Sequence, residues 1–599
     1  SRAGGNPLFI EEIVWASREA GSLESLPGSL EAAIAAQIDG LDPAARHLLR
    51  YASVLGNSFR RSVLEGVLKA QSDDTDMAAL SRTEAFLDSD GEHYLRFRRA
   101  LVRDAAYEGL TYRLRRRLHK LAGEVIERGG DDAMASADIL ARHFSLAGDA
   151  ARTWHYACVS ADNARRAYAN PEAANLYRMA LDAARRLPEI AAQDRVRVWT
   201  SLGDVCMLAG MFDDSYSAYR NGSQLVTSDP IARAELLGLR ARARERAGAF
   251  SPALREIAAG RRLLAGHDEQ AARKTRASLG SLAAMVRFAQ QRYDEALRRA
   301  GEAIEEAREA GEQAALAQAL VAADSAQLSL GGGSSGRMLE ALSIYQSLGD
   351  LSNEGTVRGN LGCEAYLAGR WDEALEWFAG DRNICQRAGN MVGAAIAAAN
   401  IGDIYVKRGQ HAEAEPVLRD AIRVLRASGF NDGAACSELQ LARVLVRRDA
   451  FDEANAMLER IRTEFIALGQ SANALEATLI AALAQIRQGK ADSALDLLDR
   501  AAAAAGESGA LLVPQVAEAR VRALAAIGKH AAVAAEIEKG LPAARRLGLR
   551  YEEAILLVAR IDIARDTGAT ANPADLTEAA RILKGLGALW APRPFTDTT

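Results

Sequence analysis

LGCEAYLAGRWDEALEWFAGDRNICQRAGN, residues 361–390, reads as two helices joined by a tight turn at Gly369. Residues 401–430, IGDIYVKRGQHAEAEPVLRDAIRVLRASGF, repeat the pattern. Turn-position glycines recur at 369, 409, 489, 528 and 568, with Asp449 in the slot that lacks one. Glycines closing the second helix recur at 349, 389, 429, 469, 509 and 548, in steps of 40 or 39 residues. A fixed period of that length marks stacked helical hairpins, none of which can bury its apolar face alone. A small residue stands five places after the turn (Ala374, Ala414, Ala454, Ala494), where it lets the paired helices approach. A bulky group stands two places after it (Phe212, Phe250, Trp371, His411, Phe451), placed to plug the gap between hairpins.

The whole chain is compatible with this reading. Its 599 residues exceed what one core organises, so several domains or a long array are expected. Hydrophobic residues make up 49% and charged residues 26%, the balance of a folded chain. Aromatics are only 6%, which suits close-packed helices and not a β-sandwich. The 74 Lys and Arg against 79 Asp and Glu give −5, too mild to argue for nucleic acid or membrane binding. No apolar run reaches the ~18 residues a membrane span needs, and no signal peptide appears. The five cysteines are scattered without a CxxC pair, so neither a zinc site nor a disulfide framework is expected. Together these features predict a cytoplasmic protein.

Outward from the repeat, the periodic units run over residues 201–599, and 131–200 reads as irregular first hairpins broken at Asn170-Pro171. One unit carries Gly331-Gly332-Gly333-Ser334-Ser335-Gly336 in place of a compact turn, read as a loose inter-helix loop or a hinge. Residues 40–130 differ. Helices are predicted from Leu41 to Tyr51, Ser58 to Leu68 and Met77 to Phe86. A hairpin follows around Asp90-Gly91, then helices at 99–110 and 113–127. Three helices and one hairpin outline a winged helix. Residues 1–39 hold a helix capped by Asn6 and started by Pro7, a break at Leu26-Pro27, and a second helix ending at Gly40. The fold class expected is all-α, a right-handed superhelix of helical hairpins preceded by this small module.

The repeat logic is that of tetratricopeptide repeats, whose usual period is about 34, lengthened as in large bacterial regulators. The N-terminal motifs carry a second resemblance. Gly5-Asn6-Pro7-Leu8-Phe9, Leu26-Pro27, Leu41-Asp42-Pro43-Ala44-Ala45-Arg46 and Ala52-Ser53-Val54-Leu55-Gly56 stand in order before the run Phe97–Glu108. This order resembles the downstream half of AAA/STAND-type signal-transducing ATPases. It is similar in particular to bacterial proteins that join a class III nucleotide cyclase, an ATPase module and tetratricopeptide repeats. The same ATPase–repeat unit occurs in maltose-regulator-like activators and beside Ser/Thr kinase domains. The resemblance implies that residues 1–39 end an ATPase domain and that Gly5, Asn6 and Pro7 bind nucleotide, with the proline ring against the adenine. The same three residues also read as nothing more than a good helix start. Arg99 stands where relatives commonly have a phosphate-sensing histidine, and its donor fork suits phosphate. It also reads as a plain surface residue. Gln37 departs from the usual residue too. In this class the winged helix is a lid and clamp, and ATP or ADP is held mainly by upstream sequence.

Catalytic motifs are missing from the segment. Gly528-Lys529-His530 is a repeat turn and not a phosphate loop, since Ala523 stands where its first glycine belongs. No HExxH, GxSxG or kinase set occurs. The eight histidines are isolated in sequence, and Asn221-Gly222-Ser223 reads as a chance sequon. Residues 96–128 hold ten Lys and Arg against four acids, +6 locally. That block invites a DNA-binding reading; the alternative is a solvated helix face packed on the ATPase domain through Leu114, Leu118, Leu121 and Val125. The chain opens on Ser1, so upstream sequence is expected, and any catalysis is expected there. No helix-turn-helix follows the last repeats, which ranks a cyclase-linked regulator above a transcription factor. The function expected is the sensor half of an ATP/ADP switch, its groove taking a protein or small ligand, with ligand-driven self-association. The alternatives are a passive interaction scaffold and an ATPase-linked transcriptional regulator.

Overall fold

The computed structural model describes residues 30–71, 77–129, 136–330, 335–467, 470–505 and 512–588. Gly5, Asn6, Pro7 and Leu26-Pro27 lie outside them, as do four residues of the Gly/Ser loop. The chain divides into two compact units, Ser1–Thr275 and Arg276–Thr599.

The first unit opens with α1 (Leu30–Asp39) and α2 (Pro43–Leu55), the latter capped by Asp42, whose carboxylate accepts from the Ala44 and Ala45 amides at 3.1 Å. Sequence and structure then part. Ser58 does not begin a helix. Gly56, at φ 117°, ends α2, and Ser58–Arg60 becomes β1, which sends Phe59 into the core. Only then does α3 (Arg61–Gln71) start. The third predicted helix is a 3₁₀ segment, Met77–Thr83, in which the Ser81 and Thr83 hydroxyls bond back to main-chain carbonyls and compete with the α ladder. Strands β2 (Leu87–Ser89) and β3 (Tyr94–Phe97) form the expected hairpin. The sheet is antiparallel in the order β1-β3-β2, with Phe59 opposite Leu95 and Leu87 opposite Phe97. This is the strand order of a winged helix with one strand more than the sequence reading placed. Its apolar side joins Leu48, Leu49, Leu64 and Val102 in one core.

Helix α4 (Ala100–Glu108) leads into α5 (Tyr112–Arg128), which packs on two sides. Val125 lies so close over Gly66 of α3 that a Cβ there would come within 2.6 Å of it. Leu114, Leu118 and Val125 therefore belong to the core of this module, a correction to the expectation that they pack on a separate ATPase domain. On its other side, α5 meets α6 (Ala137–Ala147), with Phe144 against Gly123. The Arg116 guanidinium donates to the Ala147 carbonyl at 3.0 Å, and Tyr156 of α7 (Ala150–Arg166) donates to Glu127 at 2.8 Å. From α6 onward the described residues are helical hairpins.

In the second unit the period is realised as read. Gly369, Gly409, Gly489, Gly528 and Gly568 all take left-handed φ between 71° and 81°, and Asp449 does so without being glycine, at 58°. Ala374, Ala414, Ala454 and Ala494 are fully buried. Of the bulky residues after the turn, only Trp371 is buried; Phe212, Phe250, His411 and Phe451 are half-buried. Close helix approaches lie at Gly362 and Gly402, where a Cβ would come within 2.6 Å of Phe378 and Leu418. In the looser unit, the fully buried Asp324 caps the helix Arg337–Leu348. Its carboxylate accepts from the Met338 amide at 3.0 Å and from the Ser335 hydroxyl. The last hairpin folds back on the middle of the unit. Arg408 donates to the Leu586 carbonyl at 2.9 Å, 178 residues away, and the Trp371 and Tyr551 rings lie 5.8 Å apart.

Candidate functional site

The first helices of successive hairpins in the second unit turn one face toward each other. On Asn431–Arg447 that face holds Cys436, Gln440, Arg443 and Arg447, spaced i, i+4, i+7 and i+11, one stripe of an α-helix. Opposite stand Asp403 and Lys407 of Met391–Arg408, Glu476 of Ser471–Arg487, Glu518 and Arg522 of Val513–Ala526, and Tyr551 of Arg550–Asp566. With the last hairpin folded back, Lys407 feels Glu552, and Arg447 feels Glu518 and Tyr551.

Most charges on the wall are matched. Lys407 donates to the Tyr366 hydroxyl, which donates to Asp403 at 2.6 Å; the ammonium lies 4.9 Å from the Tyr366 ring centre. Burial pulls Lys407 downward, yet Asp403 and Tyr366 outweigh it, and its net displacement is upward. Arg443 pairs with Glu476 at 2.9 Å and Arg522 with Glu518 at 2.8 Å. Burial opposes the charge on Arg443, and Glu476 more than restores it. Arg447 is the exception. It is exposed and forms no hydrogen bond or ion pair among the described residues. Burial, then the neighbouring Arg522, hold its guanidinium below the ordinary arginine value. Beside it, burial first and Arg447 second push His411 down, and the His411 Nδ1 is buried without a partner.

The sites named from sequence fall elsewhere. Gly5, Asn6 and Pro7 are outside the described residues, so nothing brings them together with Arg99. Arg99 is exposed at the start of α4, at φ −139°, and its side chain does not cap the helix. The described residues offer no other part of a nucleotide site beside it. Much of the basic block is engaged internally: Arg98 with Asp88 at 2.7 Å, Arg115 with Glu108 at 2.9 Å, Arg103 with Asp104. The wing carries Asp88, Asp90 and Glu92, which repel a phosphate backbone, and the 3₁₀ segment offers Arg82, paired with Asp42 at 3.3 Å. This geometry does not favour duplex DNA.

Two arrangements escaped the sequence reading. His119 of α5 and His143 of α6 meet at 2.9 Å, Nδ1 to Nδ1, with the Tyr107 hydroxyl 3.0 Å from His119 Nε2. Only the fold joins residues 24 positions apart. Arg447 was findable: aligning the units on their turns puts Lys407, Arg447 and Arg487 at one position, two before the turn. A further cleft of about 260 Å³ in the first unit is lined by Arg178, Asp182, Arg185, Trp199 and Asp214, two cations against two acids. Cys158 and Cys385 are buried, and burial pushes both thiols up to about 12, which makes them poor nucleophiles. No group of metal-binding side chains occurs among the described residues, and none of their helices is long and apolar enough to cross a membrane.

The tetratricopeptide repeat family model matches residues 365–427 and 393–463. These residues are tetratricopeptide repeats. No curated protein matches the chain. Among solved structures, the chain is similar to a signal transduction ATPase with numerous domains from Pyrococcus horikoshii that has a tetratricopeptide repeat sensor. Identity is 14% and the TM-score 0.36, over 77% of this chain and 72% of that one. It is also similar to the apo form of RapI, at 12% identity and TM-score 0.33, over 63% of this chain and 94% of that one. Aspartyl phosphate phosphatase F from Bacillus subtilis gives 11% and 0.29, over 73% and 94%.

Proposed function

We propose that this chain is the sensor and regulatory part of a cytoplasmic signal-transducing ATPase, and that its repeats bind a protein or peptide on the inner face of the second unit. The observation that carries the binding role is that face: a stripe of donors and acceptors that ends in Arg447, a cation without a partner. The ATPase reading is supported by the order of the Gly5-Asn6-Pro7 segment, winged helix and repeats. Upstream sequence would hold ATP or ADP, with Gly5, Asn6 and Pro7 completing the site and Arg99 touching phosphate. A class III nucleotide cyclase is the effector this reading favours, with ligand-driven self-association as the output.

The switch works by population shift. A ligand moves the equilibrium between ADP-held and ATP-competent states only by its difference in affinity for the two. Helix α5 gives the coupling a physical path, because one helix packs on both the winged module and the first hairpin. The test is nucleotide affinity in the longer protein that includes the upstream ATPase, with and without the repeats. Coupling requires the ratio of ATP to ADP affinity to change when the repeats are removed. An unchanged ratio leaves a passive scaffold.

A further inference from the structure

We propose that a cleft in the first unit binds a free α-amino acid with an apolar side chain. The site lies apart from the inner face of the second unit and goes beyond the peptide-binding role proposed above.

Three helices of two consecutive hairpins form the cleft: α8 (Asn170–Ala184), α9 (Ala192–Leu208) and α10 (Phe212–Gln224). Each turns one helical face to it, spaced i, i+3 or i+4, and i+7: Arg178 to Arg185 on α8, Trp199 to Cys206 on α9, Asp214 to Asn221 on α10. The next hairpin shows why space remains. Counted from the turn glycines Gly210 and Gly248, Leu202, Cys206 and Ala218 occupy the places of Arg240, Arg244 and Glu256. One interval along, those charged side chains fill the gap. Glu256 accepts from Arg240 at 2.7 Å and from Arg244 at 3.2 Å, and the Tyr216 hydroxyl accepts from Arg244 at 2.6 Å. Shorter, uncharged side chains stand at all three places here, and about 260 Å³ stays open.

The chemistry of the walls selects the ligand. The floor is apolar, with the half-buried Trp199 beside the buried Leu202 and Ala218. The rim carries two opposite pairs, Arg178 with Asp214 at 2.8 Å and Arg185 with Asp182 at 3.6 Å. Both pairs face solvent, so they are weakly held and yield to a competitor. The Asn221 amide, also on the rim, makes no hydrogen bond among the described residues. A simple anion would meet Asp182 and Asp214, and a simple cation would meet Arg178 and Arg185. A head with an ammonium and a carboxylate on one carbon meets both signs at once, through charge-assisted hydrogen bonds. Asn221 offers it both a donor and an acceptor. The ligand's side chain then covers the apolar floor, where an aromatic ring gains most by packing against the indole. The volume lies below the ~300–1,000 Å³ typical of sites for drug-sized ligands, which suits a single amino acid and not a peptide.

The test is a titration of the full chain, followed by saturation-transfer NMR, with free phenylalanine, tryptophan and leucine, N-acetylphenylalanine and phenylalanine methyl ester. At least one free amino acid should bind saturably with a Kd of about 1 mM or tighter. The acetyl and ester derivatives each lack one charge and should bind about tenfold more weakly. Asp214→Asn combined with Arg185→Gln, both on the exposed rim, should weaken the free amino acid by at least the same factor. Trp199→Leu, matching Leu237 at the equivalent place in the next hairpin, should weaken the aromatic ligands more than leucine. Arg220→Gln, exposed on α10 and outside the cleft, should leave binding unchanged. A melting temperature equal to wild type qualifies each variant, and the rim double variant carries the test if Trp199→Leu unfolds. The site is overturned by no binding of any free amino acid at about 10 mM, by derivatives that bind as well as the free forms, or by binding indifferent to the rim double variant.

Discussion

Acidification should loosen the joint between the winged module and the repeats before it unfolds the rest. His119 and His143 are 3% and 4% exposed and share one Nδ1–Nδ1 hydrogen bond, which needs a donor on one ring and a lone pair on the other. Burial, then the mutual effect of the pair, then Arg142 and Arg115 hold His119 at about 3; burial and Arg142 hold His143 at about 4. Both folded values lie below the ordinary histidine value of 6.5. The unfolded state therefore binds more protons as pH falls from that value, and stability that is complete above it is lost on the way down. At pH 5 the cost is about 2 kcal/mol for each imidazole held neutral, and about 4 kcal/mol for the pair if the two act independently. The array has many units, so a single melting curve does not isolate this term. The assay is hydrogen exchange at the amides of α5 and α6, compared between pH 7.5 and pH 5 after correction for intrinsic rates. Protection should fall there more than at the repeats of the second unit, and His119→Gln combined with His143→Gln should remove the excess. An equal loss in wild type and double variant would show that the pair does not set the acid response.

Three further outcomes test the packing. Gly362→Ala must displace the Phe378 ring and should cost about 1–3 kcal/mol; Gly489→Ala, with open space around it, should cost only the left-handed backbone penalty of about 1 kcal/mol, both read as chemical-denaturation midpoints. Asp324→Ala removes the only capping carboxylate the described residues give the helix Arg337–Leu348, and should cost about 1–3 kcal/mol with loss of exchange protection at Met338. Arg408→Ala removes the bond to Leu586 and the pair with Asp372, and should raise exchange across Pro573–Leu586 first.

The repeat was legible because its signals are local. A left-handed turn residue and a buried small residue at fixed offsets need no knowledge of the rest of the chain, and even Asp449 could be placed by counting. The winged module was half legible. Asp90-Gly91 announced the hairpin, but β1 is three residues long and exists because β3 pairs with it, a contact 36 positions away at Phe59 and Leu95. The 3₁₀ segment looked helical by apolar spacing; its Ser and Thr side chains decided otherwise. The joint between modules was least legible. Histidines 119 and 143 read as isolated because no periodicity connects helices on either side of a turn, and the neutral state of both rings follows first from burial and then from the charged neighbours the fold brings to them. On the inner wall, the residue types were visible in sequence, whereas which cation lacked an acid depended on the pairing of neighbouring helices.

The bond from Arg408 to Leu586 changes how the second unit should come apart. A stack of hairpins held only by adjacent contacts melts from its ends, and its stability is close to a sum over neighbours. Here the last helix is tied to residues 178 positions earlier, with Ala365, Trp371 and Ile401 sharing a core with Leu556, Ile582 and Leu586. Fraying of the terminal hairpin then exposes the middle of the array as well as its end, so the repeats from 365 onward should lose structure together, as a cooperative block. The same tie places their folding on the slow side for a helical protein, since loop closure over that distance must precede the contacts that reward it.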